Sequence, residues 1–366
     1  MKKLRSGYTT GACSAAAAKA AALMLLTGEK QENVEIPFPD DSRVNFRIVE
    51  SKEYKNKKHG AFAAVIKDAG DDPDVTNGAR IEAHVCFGLQ KSSTDEPLFI
   101  FGGKGVGTVT KRGLAIPVGE PAINPVPRKM IRAAVSEAIL TSGNNQIFSL
   151  EITVSIPDGE ALAEKTLNHR LGIIGGLSVL GTTGIVRPVS ADAWTATIAT
   201  SMDVAKEAGI NEIILSTGRT SEKAVQEFLK LPEEAQVMMG DYLHFSLVEA
   251  CNHKFSKIHL SAMWAKVMKC AMHIPQTHVR NGALEIPSAL NFLKTLGCDE
   301  KLLDHLKGSN TAREIYGRLV DNGQECFIAK VCEAAREYAQ KVSGLDVTVY
   351  LIDTNKQIVL QTQEVL

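Results

Sequence analysis

Apolar and polar residues follow three patterns along the first half of this chain. An alanine-rich run from Cys13 to Leu26 predicts a helix, because alanine is the strongest helix former, and Thr9 or Thr10 is placed to cap its start. Alternating or clustered apolar residues predict strands in the segments 34–39, 43–50, 60–70, 79–89 and 97–103. A proline-rich start at 124–127 introduces a second helix that runs to Leu140, and 146–157 returns to a strand pattern.

The second half has a different rhythm, in which helices alternate with short apolar strands. Helical patterns cover 193–209, 220–231 and 242–253, and strand patterns cover 212–218, 235–241 and 257–263. This alternation is typical of a doubly wound parallel sheet, and 347–363 predicts a closing hairpin around an Asp-Thr-Asn-Lys turn. We therefore expect an α+β domain with a mixed or antiparallel sheet over 1–190. A Rossmann-like α/β domain with a parallel sheet and the hairpin would occupy 191–366.

Composition and charge narrow the range of partners. The 366 residues suffice for two domains, and 41 basic against 42 acidic side chains give a net charge of -1. No global field therefore favours nucleic acid or anionic lipid. The seven cysteines are scattered without a Cys-x-x-Cys pair, which indicates buried thiols in a reducing compartment rather than disulfides or structural zinc.

The chain start carries no pattern of a targeting segment. Its basic head is not followed by an uninterrupted apolar region and a cleavage site, and Lys19 divides the one apolar stretch below spanning length. These features predict a soluble, cytoplasmic protein that does not bind a membrane.

Two Thr-Thr-Gly triplets stand far apart in the chain. Thr9, Thr10 and Gly11 precede the first helix, where backbone amides and the helix dipole favour a ligand carboxylate or phosphate. Simple capping of the helix explains the same residues equally well. The second triplet, 182–184, lies in a glycine-rich segment flanked by Arg170 and Arg187. The two triplets would either bind two carboxylates of one ligand or cap separate elements.

An acidic segment follows the strand pattern at 60–70. Asp68, Asp71, Asp72 and Asp74 lie within seven residues, so their mutual repulsion favours a cationic or hydrogen-bond-donating partner. A calcium loop is disfavoured because no glutamate stands at the required distance. The remaining alternative is a solvated loop of turn-forming residues.

Glycines also punctuate the segment 101–114. A dinucleotide-binding loop is excluded because Thr108 occupies the third glycine position and a strand pattern follows where a helix is required. We expect a flexible hairpin in which Gly103 and Gly105 allow a flat or bulky ligand to approach, with Lys104, Lys111 and Arg112 available for anions. A plain glycine hairpin is the alternative.

The common catalytic signatures are absent from the sequence. It has no Gly-x-Ser-x-Gly elbow, Walker loop or His-Glu-x-x-His motif, which disfavours hydrolases and phosphate-handling enzymes. A doubly wound sheet binds ligands beyond the carboxyl ends of its strands, which makes Thr217–Thr220 and 240–242 the candidate crevice. The apolar helix face of Ile131, Val135 and Ile139 would serve the core or a homo-oligomer.

Five segments together resemble the signature segments of a known family. They are 4–21, 68–78, 102–114, 120–131 and 167–190, in that order. The family is CbiD, the cobalt-precorrin-5B C1-methyltransferases of anaerobic cobalamin (vitamin B12) biosynthesis. The resemblance implies transfer of a methyl group from S-adenosylmethionine to C1 of a cobalt-containing tetrapyrrole, giving cobalt-precorrin-6A. Cobalt would then enter only as part of the substrate, and no metal site on the protein is expected.

The resemblance also suggests roles for residues. The tetrapyrrole is a broad macrocycle edged with carboxylates, which suits helix amides, threonine turns and arginines, and methyl transfer needs alignment more than a side-chain nucleophile. Asp72 is the candidate to orient the ring or accept a proton. Thr217, Gly218, Asp241 and Lys266 are the candidates for S-adenosylmethionine. The candidates for the tetrapyrrole are Tyr8, Thr9, Thr10, Gly11, Asp71, Asp74, Gly103, Gly105, Arg112, Arg170, Thr182, Thr183 and Gly184.

The second half departs from the family's usual pattern. Ala262–Lys266 stands for Gly-His-x-Gly-Lys, 217–219 for Pro-Gly-Asn, 240–242 for Ser-Asn-Phe and 277–279 for Thr-His-Ser. In the first half, Asn77 replaces a histidine. The leading hypothesis is an active methyltransferase. The alternative is a non-catalytic corrinoid-binding or carrier homologue, which would bind the tetrapyrrole without the methyl donor.

Overall fold

The computed structural model describes residues 4–55, 59–88, 98–143, 149–277 and 284–362. The chain divides into two compact units, 1–190 and 191–366. Both units mix helices with sheets, and each has a hydrophobic core of its own.

The first unit is built around a mixed five-stranded sheet. Its strand order is β4-β5-β6-β9-β7, with β7 parallel to β9 and the other neighbours antiparallel. Three two-stranded sheets accompany it, β2-β3, β1-β11 and β8-β10. The mixed sheet predicted for this half is therefore confirmed. The strands are β1 (Gly7–Tyr8), β2 (Asn33–Pro37), β3 (Arg43–Arg47), β4 (Glu50–Lys55), β5 (His59–Ile66), β6 (Arg80–Phe87), β7 (Leu98–Gly102), β8 (Thr108–Val109), β9 (Leu150–Ser155), β10 (Ile173–Ile174) and β11 (Ile185–Val186), and the helices are α1 (Thr10–Thr27), α2 (Pro125–Thr141) and α3 (Gly159–Ala163).

Helix α1 is the centre of this unit. Its alanines are fully buried, and small side chains let it pack closely against α2, β5 and β6. The helix has 18 residues and includes Lys19, so the expectation that this residue keeps the apolar stretch below spanning length is wrong. Its length and composition meet those of a membrane span, but 72% of it is buried inside the protein, as expected for a core helix. Lys19 is accommodated because its ammonium group bonds Glu137 and the Glu35 carbonyl.

The apolar face of α2 belongs to the core. Ile131 and Val135 are fully buried in the cluster that contains α1, and Ile139 packs against that cluster. The alternative use of this face for a homo-oligomer is therefore not supported.

The glycine segment at 101–114 does not form a hairpin. Strand β7 pairs with β9, whereas β8 spans only two residues and pairs with β10. The strand predicted after the glycines ends early because the chain turns through a series of bends from Lys111 to Ile116.

The second unit contains a five-stranded sheet with the order β13-β12-β14-β15-β16. Its first four strands are parallel, and β16 runs antiparallel to β15, which confirms the C-terminal hairpin. The strands are β12 (Glu212–Ser216), β13 (Gln236–Met238), β14 (Lys257–Met263), β15 (Asp346–Ile352) and β16 (Ile358–Gln361), and the helices are α4 (Ala191–Glu207), α5 (Arg219–Leu229), α6 (Leu243–Asn252), α7 (Trp264–Ala271), α8 (Ile286–Thr295), α9 (Glu300–Leu306), α10 (Ala312–Asp321) and α11 (Glu325–Ser343).

All seven cysteines are free thiols. Four are buried, but Cys251 and Cys326 are exposed, so the expectation of uniformly buried thiols is wrong for those two residues.

Candidate functional site

Three motif segments of the first unit converge on the start of α1. Strand β1 pairs with β11, and the Tyr8 amide donates to the carbonyl of Asp68 at 2.7 Å. A Cβ atom at Gly7 would lie only 2.1 Å from the backbone carbon of Ala69, so only glycine permits this approach. The segments near 7, 68–72 and 180–189 therefore form one connected substructure.

The two Thr-Thr-Gly triplets meet in this substructure. Thr9 is the N-cap of α1, since its hydroxyl accepts from the Ala12 amide at 3.2 Å, and its own amide donates to the Gly184 carbonyl at 2.9 Å. The Thr10 hydroxyl accepts from the Leu180 amide at 3.0 Å, and the Gly11 amide donates to the Leu180 carbonyl. These internal bonds support the capping interpretation for Thr9 and leave Thr9 and Thr10 buried.

The acidic segment is paired with a cation from elsewhere in the chain. Arg5 binds Asp68 through two hydrogen bonds of 2.5 and 2.8 Å, and its backbone amide donates to Asp71. The guanidinium lowers the pKa of Asp68. Arg5 and Asp71 also exchange a backbone bond, in which the Asp71 amide donates to the Arg5 carbonyl. We expected a ligand to pair with these carboxylates, but Arg5 of the same chain does so.

A buried ion pair fixes the other end of the acidic segment. Lys67 is almost completely buried and donates to Asp74 at 2.5 Å, and Thr76 donates to the same carboxylate from its amide and hydroxyl. Burial alone would raise the pKa of Asp74, but these bonds outweigh it and lower the pKa. Within the described parts of the chain, no group of three or more His, Cys, Asp or Glu is arranged to hold a metal ion.

Asp72 bonds a different part of the chain from the other aspartates of this segment. One of its oxygens accepts a bond of 2.8 Å from the Val189 amide, which ties the acidic segment to the end of the first unit. Asn77, which stands where the family usually has histidine, accepts a bond from the Ala69 amide at 2.9 Å. Asp72 is half-buried, and its proposed catalytic role stays a prediction.

The glycines at 103 and 105 serve internal packing. A Cβ atom at Gly105 would lie 1.9 Å from the Ile156 oxygen, and one at Gly103 would lie 2.2 Å from the Ser155 hydroxyl. The backbone of Gly105 also receives the Leu177 amide at 2.9 Å. These close approaches are to the protein itself, so internal packing, which neither expectation for this segment included, explains both residues.

The remaining tetrapyrrole candidates are more accessible. Arg112, Thr182 and Thr183 are exposed, and Tyr8 and Arg170 are half-buried. Lys111 donates to the Arg170 carbonyl at 3.1 Å, which brings the chain around 111–112 next to 170. Tyr8 packs on the ring of Phe46, with 4.7 Å between the ring centroids.

The second unit contains a cavity of about 490 Å³ beyond the carboxyl ends of its parallel strands. The turn after β12 contributes Thr217 and Gly218, and β14 and β15 end at the cavity with Met263 and Ile352. Residues 217–220 thus lie at the predicted crevice. The cavity lining is Thr217, Gly218, Arg219, Thr220, Ser221, Met263, Trp264, Ala265, Lys266, Arg313, Tyr316, Leu351, Ile352, Asp353 and Thr354.

Asp241 and Lys266, both candidates for the methyl donor, are in direct contact, but only Lys266 lines the cavity. Its ammonium group bonds the Asp241 carboxylate and, at 2.8 Å, the Thr277 carbonyl. The Thr277 hydroxyl donates to the same carboxylate at 3.0 Å. Asp241 therefore positions Lys266. Gly240 and Tyr242 are also outside the cavity lining. Both lie next to the ring of Trp194.

Several cavity residues were missed in the sequence analysis. Trp264 and Tyr316 pack together with ring centroids 5.4 Å apart, and α10 supplies both Tyr316 and Arg313. Met263 and Trp264 belong to the stretch 262–266, and both contribute apolar surface to the cavity lining. Arg219 lies within the predicted crevice of 217–220, whereas Arg313 was missed. The available signal for Arg313 was its position as a cation in the first turn of the amphipathic helix α10.

Comparison with known proteins places the chain in a family. The CbiD family model matches residues 1–188, and the model of the CbiD C-terminal domain matches 276–363. A protein of Desulfotalea psychrophila is 54% identical over 98% of each chain, and one of Geobacter metallireducens is 46% identical over 96% of each chain. A Priestia megaterium protein is 40% identical over 96% of this chain and 94% of its own. All three are named cobalt-precorrin-5B C(1)-methyltransferase.

One solved structure is also similar to this chain. It is the crystal structure of a cobalamin biosynthesis protein (cbiD) from Archaeoglobus fulgidus, with 27% sequence identity, coverage of 87% of this chain and 85% of that chain, and a TM-score of 0.39. The family models and the relatives at 40% identity or more cover nearly the whole sequence. The chain therefore belongs to the CbiD family.

Proposed function

We propose that this protein is a cobalt-precorrin-5B C(1)-methyltransferase of cobalamin biosynthesis, with S-adenosylmethionine as its methyl donor. The observation that carries the proposal is 54% identity, over nearly the full length of both chains, to a relative with that name. The proposed partner is the tetrapyrrole substrate, and the proposed location is the cytoplasm. Cobalt enters only as part of this substrate.

The first unit is our candidate for binding the tetrapyrrole. Its motif segments are held rigidly by internal bonds, which leaves a smaller set of accessible groups for a carboxylate-edged ring. Arg112 and the half-buried Arg170 carry guanidinium groups, and Thr182 and Thr183 carry exposed hydroxyls, of which that of Thr183 also bonds the Ile185 backbone. In this proposal the buried residues Thr9, Thr10 and Gly105, together with the half-buried Gly103, shape the surface without touching the ring.

The cavity of the second unit suits the methyl donor. A volume of about 490 Å³ lies within the usual range for small-molecule sites, and the mostly apolar lining with Trp264 and Tyr316 suits a flat purine ring. Thr217 and Gly218 would hold the donor from the turn after β12, and Lys266 would contact it from the other side of the lining. This location follows the general rule for parallel sheets. We therefore propose that the second unit is a Rossmann-like domain that binds the methyl donor.

S-adenosylmethionine supplies an electrophilic methyl group on a sulfonium. The residues of this chain then have to align the donor with the ring carbon and exclude water, because a carbon nucleophile in the substrate needs no covalent help from a side chain. Asp72 remains our candidate to orient the ring or to accept a proton.

Binding of the donor is the experiment that tests this proposal. We expect calorimetric titration of the full chain to give saturable binding of S-adenosylmethionine and S-adenosylhomocysteine, with and without a corrinoid present. A Thr217→Trp variant should lose this binding, because a bulky side chain at the cavity wall fills the space. A Lys223→Gln variant is the control, because Lys223 lies on the exposed face of α5 and outside the cavity lining.

The outcome also separates the two functions. If the protein binds a corrinoid but neither donor compound under any condition, the methyltransferase proposal is wrong and the carrier function takes its place.

A further inference from the structure

Two arginines line the cavity of the second unit from different helices. Arg219 comes from α5 and Arg313 from α10, and both side chains are exposed. Across the described residues, neither guanidinium forms a hydrogen bond or an ion pair with another side chain or carbonyl. Lys266, the third cation of the lining, differs because it already bonds Asp241 and the Thr277 carbonyl.

The one carboxylate of the lining does not neutralise these arginines. Asp353 accepts bonds of 2.8 Å from the amides of Asn355 and Gln357, which hold the turn between β15 and β16. The cavity therefore presents two guanidinium groups and a single carboxylate that is engaged by backbone amides.

Both arginines occupy positions that are unfavourable for the helices. Arg219 is the first residue of α5 and Arg313 is the second residue of α10. The amino end of a helix carries partial positive charge, so a cation in the first turn weakens the helix. Two such placements border one cavity, and a ligand with negative charge would explain both.

We propose that Arg219 and Arg313 bind a carboxylate group of the ligand in this cavity. The proposal rests on the function proposed above and adds the residues that recognise the charged end of the ligand. Guanidinium groups bind carboxylates through paired, charge-assisted hydrogen bonds. Two sources of this carboxylate exist, the amino-acid end of the methyl donor and the acetate or propionate side chains of the tetrapyrrole.

Four ligands distinguish these sources in the full chain. The donor arm compares S-adenosylmethionine with decarboxylated S-adenosylmethionine, which lacks the carboxylate. The corrinoid arm compares cobyrinic acid, which has free carboxylates, with its heptamethyl ester. Each is titrated into the wild-type protein and into Arg219→Gln, Arg313→Gln and Lys223→Gln variants. Lys223→Gln is the matched control, because it removes one positive charge from an exposed face of α5 outside the cavity lining.

We expect each arginine variant to bind S-adenosylmethionine about tenfold more weakly and the decarboxylated compound with unchanged affinity. That result identifies the donor as the source of the carboxylate. If the loss is confined to cobyrinic acid and spares its ester, the proposal also holds, with the tetrapyrrole as the source. Thermal unfolding is the second measurement. The arginine variants should unfold at the wild-type temperature or slightly above it, because a first-turn cation has been removed.

Two results would overturn the proposal. One is unchanged affinity of both arginine variants for all four ligands. The other is an equal loss for the ligand that has the carboxylate and for its counterpart that lacks it, which would mean that the arginines only shape the cavity. A wild-type protein that binds none of the four ligands contradicts the proposed function itself and removes this proposal with it, whereas binding that is merely insensitive to the arginines contradicts this proposal alone.

Discussion

Gly105 combines two restrictions in one residue. Its φ angle of +72° is unfavourable for residues with a side chain, and a Cβ atom there would lie 1.9 Å from the carbonyl oxygen of Ile156. The nearest atoms are backbone atoms of Ile156 and Gly159, so no flexible side chain can move away. The position therefore requires glycine for the contact between the 102–107 segment and the end of β9.

We predict that Gly105→Ala destabilises the first unit by about 3 kcal/mol or more, because the strain and the clash add. Gly119→Ala is the matched control, since Gly119 also has a positive φ, of +91°, but nothing within 4 Å of its Cβ position. That control should cost only about 1 kcal/mol. Urea unfolding followed by circular dichroism measures both. Equal destabilisation by the two substitutions would show that the contact with Ile156 contributes nothing.

Single residues also mark where sequence analysis succeeds and fails. The cap of α1 was predictable, because a threonine before an alanine-rich run is a local signal. The partners of the acidic segment were not, because Arg5 is 63 residues away from Asp68 and Lys67 looks like a strand-end lysine rather than a buried one. A hydrogen-bond-donating or cationic partner was expected for the segment, and the chain itself supplies it through Arg5 and Lys67.

At the scale of elements, a cluster of charges joins α1, α2 and the β2-β3 sheet. Glu137 on α2 accepts from Lys19 of α1 at 2.6 Å and from Arg43 of β3 at 2.9 and 3.0 Å. Arg43 also bonds Glu35 of β2. The hydrogen bonds from Arg43, followed by those from Lys19, lower the pKa of Glu137 from 4.5 to about 2.

This shift predicts how stability depends on pH. A lowered pKa in the folded state stabilises the protein fully above pH 4.5, and this contribution is lost as the pH falls toward about 2. Glu137→Gln should therefore cost about 2 kcal/mol at neutral pH, after allowance for solvent screening, and the cost should disappear near pH 2. The exposed Glu164→Gln is the control and should change little at any pH. Denaturant unfolding at several pH values tests this, and a cost that does not change with pH would contradict it.

Elements differed in how well the sequence indicated them. The helix and strand patterns of 191–263 matched their elements because each apolar run packs on the same parallel sheet. The predicted glycine hairpin failed because β8 finds its partner in β10, far along the chain, and no local signal specifies that pairing. The same limit applies to the cavity, where α10 brings Arg313 and Tyr316 to strands that are distant in sequence.

At the scale of the whole molecule, the two units differ in what they offer a ligand. The first unit uses most of its motif residues to hold its own segments together, and the second unit keeps a cavity with two guanidinium groups available. The proposed methyl transfer by this CbiD family member accounts for the internally bonded motif residues of the first unit and for the cavity of the second. The motif segments of the first unit would maintain the surface for the tetrapyrrole, and the cavity would hold the donor.

The most direct test of this account is turnover. Purified protein is incubated with cobalt-precorrin-5B and S-adenosylmethionine labelled with carbon-13 in its methyl group, and the tetrapyrrole is analysed by mass spectrometry and carbon NMR. We predict that the tetrapyrrole gains one labelled methyl group, located at C1, and that S-adenosylhomocysteine forms in equal amount. A tetrapyrrole recovered without label, from a protein that is folded and binds it, would contradict the account.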